Sequence, residues 1–77
     1  MKIISLDTLP INFEAKISRI NCNEILKRRL LDLGLINGTK IMAILKSPLG
    51  NPIAYKIRGA TIALRKEDSK LINVNID

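Results

Sequence analysis

The stretch Asn23-Glu-Ile-Leu-Lys-Arg-Arg-Leu-Leu-Asp-Leu-Gly-Leu-Ile-Asn-Gly-Thr-Lys-Ile41 decides the fold. Leu26, Leu30 and Leu33 recur at i, i+4 and i+7 with Ile25 beside them, the spacing of one apolar helix face. Asn23 is a helix N-cap type, and Glu24 suits the positive N-terminal end. Gly34 stands where a left-handed C-cap belongs, and Leu35 can then fold back on the last turn. The reading is one helix over about residues 23–33. A helix this short is marginal alone, so packing must hold it. Asn37-Gly38 makes a tight turn, because both residues tolerate positive φ. A strand then runs over Thr39–Lys46, with Ile41, Ala43 and Leu45 facing one way.

On either side the apolar period is two, the mark of half-buried strands. Met1–Pro10 begins extended and ends in a turn. Phe13, Ala15 and Ile17 alternate with Glu14, Lys16 and Ser18, giving a strand over Phe13–Arg19 with Phe13 facing inward. Ile53–Arg58 presents Ile53, Tyr55 and Ile57 on one face. Gly59-Ala60 turns the chain into Thr61–Arg65, where Ile62 and Leu64 point inward. Glu67–Leu71 suggests a single helical or 3₁₀ turn, and Ile72–Ile76 closes with strict alternation. The fold class is all-β: a small SH3-like antiparallel barrel of five to six strands with one inserted helix. Closure of such a barrel would remove its exposed edges. No repeat or linker divides residues 1–77, so they form a single domain.

Composition excludes several functions. The 77 residues contain no His and one Cys. A Cys/His zinc cage, a disulfide framework and a Ser–His or Cys–His catalytic pair are therefore ruled out within one chain. Apolar runs reach only four or five residues, far short of the ~20 of a membrane helix. The start lacks the apolar region of a signal peptide. The chain reads as cytoplasmic.

The formal charge is +6, which invites a nucleic acid, an acidic protein surface or anionic headgroups. Lys27-Arg28-Arg29 is the one basic cluster. Phe13 and Tyr55 are the only aromatics. With both expected inside, no stacking platform for bases is apparent. Cys22 precedes the helix, where a thiolate could be stabilised, though a lone thiol is more often a small packed or idle residue. Glu67-Asp68 is the one adjacent acidic pair, flanked by Lys66 and Lys70. No ligand set for a metal and no base–nucleophile arrangement is recognisable. The four glycines fall one per turn, without a phosphate-binding loop. The expectations are no enzyme, no catalytic residue, no metal site and no cofactor. Protein contact is the better-supported chemistry. Leu49 sits at a loop tip between Pro48 and Gly50, with Pro52 limiting the loop's freedom. Leu35 is both a C-cap contact and a candidate contact residue. The candidate surface is Lys27, Arg28, Arg29, Leu35, Pro48, Leu49, Gly50 and Pro52.

Three segments together resemble the FeoA family of ferrous-iron transport proteins. They are Arg29-Leu-Leu-Asp-Leu-Gly-Leu-Ile-Asn-Gly-Thr-Lys-Ile41, Ser47-Pro-Leu-Gly-Asn-Pro-Ile-Ala-Tyr55, and Arg58-Gly-Ala-Thr-Ile-Ala-Leu-Arg65 with the ending Ile72-Asn-Val74. The resemblance spans roughly residues 5–76. It implies an SH3-like barrel and a non-enzymatic accessory role in bacterial ferrous-iron uptake. It also implies a partner, the FeoB-type membrane permease with its cytoplasmic GTP-binding domain, so the chain would be peripheral to the membrane through that partner. The family carries a transition-metal association, for which this chain offers no evident ligands. The family loop usually reads Gly-Asp-Pro, and here it is Gly50-Asn51-Pro52. The runner-up is a small basic RNA-binding barrel.

Overall fold

The computed structural model describes residues 2–76. Six strands and two helices are arranged in the order β1 (Lys2–Ser5), a 3₁₀ turn (Leu6–Thr8), β2 (Glu14–Ile20), α1 (Glu24–Asp32), β3 (Lys40–Lys46), β4 (Ile53–Ile57), β5 (Ala60–Leu64), α2 (Lys66–Ser69) and β6 (Ile72–Ile76). The sheet order is β1-β6-β2-β3-β4-β5, antiparallel throughout. This is the expected all-β, SH3-like architecture with one inserted helix. The hydrogen-bonded ladder does not close, however. β1 and β5 stand at its two ends, so two strand edges remain.

The alternation of the strands fills the core. Ala15 and Ile17 enter from β2, Ile41 and Ala43 from β3, and Ile53, Tyr55 and Ile57 from β4. Leu64, Ile72 and Val74 complete it from β5 and β6, with Leu6 and Leu9 beneath the 3₁₀ turn. The Tyr55 hydroxyl donates to the Leu6 carbonyl at 3.4 Å. Burial pushes its phenol up; a hydrogen bond with Ser69 counters the rise, and Asp7 adds to it.

Two bulges break the period-two pattern. The β3–β4 register shifts between Ala43 and Leu45. One extra residue there reverses the facing of the strand beyond it. Leu45, expected inward beside Ile41 and Ala43, is 65% exposed. A second shift separates Ile17 from Arg19 in the β2–β6 pairing. Phe13 is also corrected: it is 56% exposed. Asn12 has φ +71 in the turn before β2, and the strand begins one residue later than the alternation suggests, so Phe13 escapes the inward series.

The helix forms as its end signals dictate. The Asn23 side chain accepts from the Leu26 N–H at 2.9 Å. At the other end the Leu35 N–H donates to the Leu30 carbonyl and the Gly34 N–H to the Leu31 carbonyl, both at 2.9 Å. This double bond pattern is the Schellman cap, with Gly34 at φ +94. Leu30 and Leu35 are both buried. Burying a leucine contributes ~1.5–3 kcal/mol, and Leu30 is the one fully buried side chain of α1. Leu26 packs partly. Leu33, expected on the same face, is 47% exposed. It is the C-cap residue, one step beyond the helix.

The β4–β5 hairpin reaches the same cap. Arg58 (φ +52) and Gly59 (φ +80) form its two-residue loop with positive φ at both positions, as type I′ turns require. A side chain added at Gly34 would meet the Arg58 Cδ at 3.5 Å, an ordinary contact. Gly34→Ala therefore suffers from its backbone conformation and not from crowding. It should lower stability by about 1–2 kcal/mol. Urea unfolding followed by far-ultraviolet circular dichroism checks this; an unchanged midpoint would show that the cap does not need a left-handed residue.

Candidate functional site

The basic triplet does not form one patch. Successive helix residues are about 100° apart, so Lys27 and Arg29 diverge by about 200°. Lys27 lines a cleft of ≈ 880 Å³ between α1 and the end of β2, with Arg19, Cys22 and Asn37 on its walls. Arg29 lines a groove of ≈ 480 Å³ on the opposite flank, with Ala63, Arg65 and Asp68. Arg28 lies between, near Glu24 and Asp32. All three side chains are exposed.

The loop after β3 is ordered by its own backbone. The Gly50 N–H donates to the Ser47 carbonyl at 2.7 Å, and the Ser47 N–H to the Pro52 carbonyl at 3.2 Å. The Asn51–Pro52 peptide is cis, and Gly50 has φ +79. Asn51 Oδ1 accepts the Lys66 N–H at 3.0 Å, supplying a partner for a free donor at the start of α2. Pro48 and Pro52 are exposed and Gly50 is partly so. Leu49 is 94% exposed. Arg65 lines the Arg29 groove and the next residue, Lys66, donates its N–H to Asn51, so the loop meets the end of the groove at the β5–α2 junction. The structure thus sends Arg29 and Lys27 to opposite sides of α1.

Leu35 is corrected. It is fully buried at the helix cap, so its structural reading prevails and it presents nothing to a partner. Sequence reading missed Ile25, 78% exposed beside Arg29 in the groove. The helix pattern itself held the signal. Ile25 lies about 100° from Leu26 around the helix, and a helix seated along Leu26 and Leu30 leaves it out.

Cys22 follows the packed reading. Partial burial pushes its thiol up from the ordinary 9.0, with Lys27 pulling it down and Asp68 and Glu24 adding to the rise. These surroundings do not stabilise a thiolate at the helix start. Asp68 contributes a backbone donor to the first turn of α2, and its side chain forms no cap. No group of three His, Cys, Asp or Glu side chains among the described residues is placed to hold a metal ion. No helix among them is long and apolar enough to cross a membrane.

The sequence matches the FeoA domain family over residues 4–76. The chain belongs to the FeoA domain family. It is 30% identical over 63 residues to an Fe(2+) transport protein A/Fe(2+) transporter FeoB fusion protein of Porphyromonas gingivalis. That match takes in 82% of this chain and 8% of the fusion protein, so the chain spans under a tenth of that relative. The solution structure of a FeoA-like protein from Clostridium acetobutylicum superposes with TM-score 0.88 at 34% identity, over 99% of this chain and 88% of that one. FeoA from Stenotrophomonas maltophilia, described as a prokaryotic SH3 domain protein and solved with zinc, superposes with TM-score 0.82 at 26% identity. It is covered over 89% of its length by 94% of this chain. The FeoA family is an iron-transport accessory family, joined to FeoB in the Porphyromonas relative. In this FeoA-family chain Asn51 holds the loop onto α2 through its amide oxygen.

Alkylation of Cys22 followed across pH should show a rate that climbs with a midpoint above 9.0. Lys27→Met should move that midpoint higher. A rate already at its plateau near neutral pH would contradict the environment described.

Proposed function

We propose that this chain is a non-enzymatic, cytoplasmic accessory protein of ferrous-iron uptake. It docks on the cytoplasmic part of a FeoB-type membrane permease and alters that permease's gating or GTP hydrolysis. The observation that carries the proposal is the relative in which the matching segment is fused to FeoB. A covalent link replaces a bimolecular encounter by a high effective concentration, which is useful when the two parts act against one another.

The surface chemistry suits docking better than catalysis. The charge of +6 favours encounter with an acidic protein face. Exposed Leu49 on a loop stiffened by Pro48 and Pro52 offers apolar contact at low ordering cost. Gly50 completes that turn, and Lys27, Arg28 and Arg29 supply the charge along α1. Metal transport on this reading does not need metal bound to this chain; iron is the permease's cargo.

Phosphate binding is the second reading, favoured by the same charge. Exposed Phe13 gives it one aromatic. Tyr55, being buried, gives it none, and a stacking surface uses successive aromatics.

The tagged chain, incubated with detergent-solubilised membranes with and without nuclease, should retain a GTP-binding iron permease in both cases. Charge reversal by Lys27→Glu, Arg28→Glu and Arg29→Glu should slow association with the purified permease about tenfold at low salt. Retention of RNA that nuclease abolishes, without the permease, would transfer the function to the second reading. Unchanged association of a folded triple variant would remove α1's charges from the contact.

A further inference from the structure

β5 ends the sheet order with one edge unpaired among the described residues. The hairpin geometry says which of its backbone groups are free. Arg58 and Gly59 form a two-residue loop, so the flanking pair Ile57–Ala60 exchanges hydrogen bonds. Hydrogen-bonded and non-bonded pairs then alternate along an antiparallel ladder. Tyr55–Ile62 and Ile53–Leu64 are bonded pairs, while Lys56–Thr61 and Ala54–Ala63 are not. The N–H and C=O groups of Thr61 and Ala63 therefore point away from β4. β5 is the last strand in the sheet order, so among the described residues no strand meets them.

Exposed edges are usually blunted with a charge, a proline or a bulge. β5 reads Ala60-Thr-Ile-Ala-Leu64 and carries no charge and no proline. Its pairing with β4 has no register shift. Its outward side chains, Thr61 and Ala63, are small and exposed. The other end of the sheet differs, since β1 opens on a lysine.

Beside this edge lies the groove against α1. Ala63 lines it, with exposed Ile25 and Leu33 on the helix side. Arg29 and Arg65 contribute two positive charges and Asp68 one negative. A second copy of this chain would bring another +6 to the same place. An acidic segment is drawn to it.

We propose that an extended segment of a protein partner, alternating apolar and acidic side chains, adds to β5 as a seventh strand. Its backbone bonds to Thr61 and Ala63, its apolar side chains lie against Ile25 and Leu33, and its carboxylates meet Arg29 and Arg65. Strand addition of this kind draws affinity from main-chain bonds and specificity from alternate side chains. The inference deepens the docking reading and rests on it for the biological partner. It is tested without the permease.

The probe is an acetylated, amidated six-residue peptide alternating glutamate with isoleucine. Its controls are the lysine–isoleucine twin and a twin N-methylated at alternate amides. Titrated into the ¹⁵N-labelled chain, the glutamate peptide should shift the amides of Ile25, Leu33, Thr61 and Ala63. Both controls should bind about tenfold more weakly. Ala63→Pro removes an N–H that the β4 ladder does not use, and should weaken binding with the remaining spectrum intact. Ile25→Lys, at an exposed site, provides the same test where the proline variant fails to fold. Equal binding of all three peptides overturns the proposal, as do shifts confined to another face or no shifts up to about 1 mM peptide. A dimer of the free chain that Ala63→Pro dissociates also overturns it, because the edge then belongs to a second copy. Peptide binding without permease capture sinks the permease and keeps the groove; the reverse sinks the groove alone.

Discussion

Leu30 enters the barrel core from α1, and Leu35 enters the same core one turn past the helix end. Between them the Gly34 cap reverses the chain with two backbone hydrogen bonds. A nine-residue helix has little stability of its own, so this attachment is what keeps α1 in place. It is also narrow. One fully buried side chain per helix leaves both flanks open, and a groove lies on each. Arg58 of the β4–β5 hairpin packs near the same glycine, which couples the hairpin bearing the open edge to the helix that faces it. The charge distribution is a consequence of this seating, because a helix fixed along Leu26 and Leu30 must send Lys27 and Arg29 to opposite sides.

The parts of the fold carried by local signals were legible. The Asn23 cap, the left-handed Gly34 and the Asn37-Gly38 turn all form where those residues stand, with positive φ in that turn at Gly38 and not at Asn37. The core faces of β2, β4 and β6 matched the alternation. The misreadings share one cause. Periodicity assumes an unbroken strand, and it has no term for an extra residue or a turn that rotates the entry. A bulge after Ala43 put Leu45 outside, and Asn12 at positive φ put Phe13 outside. Ladder closure depends on long-range geometry that no local pattern carries, and the two free edges were missed for that reason.

The candidate site was less legible. Lys27, Arg28 and Arg29 read as a cluster because they are adjacent in sequence, though adjacent helix positions do not share a face. Leu35 read two ways, and burial decided it. The tie from Asn51 to Lys66 joins residues fifteen apart and has no sequence signature short of the family pattern. Fold and family together supply an SH3-like module associated with ferrous-iron transport. The action on a partner belongs to surfaces, because one fold hosts many functions.

The central claim is that a partner docks on the face that α1 and β5 build together. Amide hydrogen exchange of this chain, with and without the purified cytoplasmic part of the permease, tests it most directly. The account predicts slowed exchange at Thr61 and Ala63, whose N–H groups otherwise face solvent, together with slowing along α1. Slowing confined to β1 at the far end of the sheet, or no change at saturating partner, would contradict it.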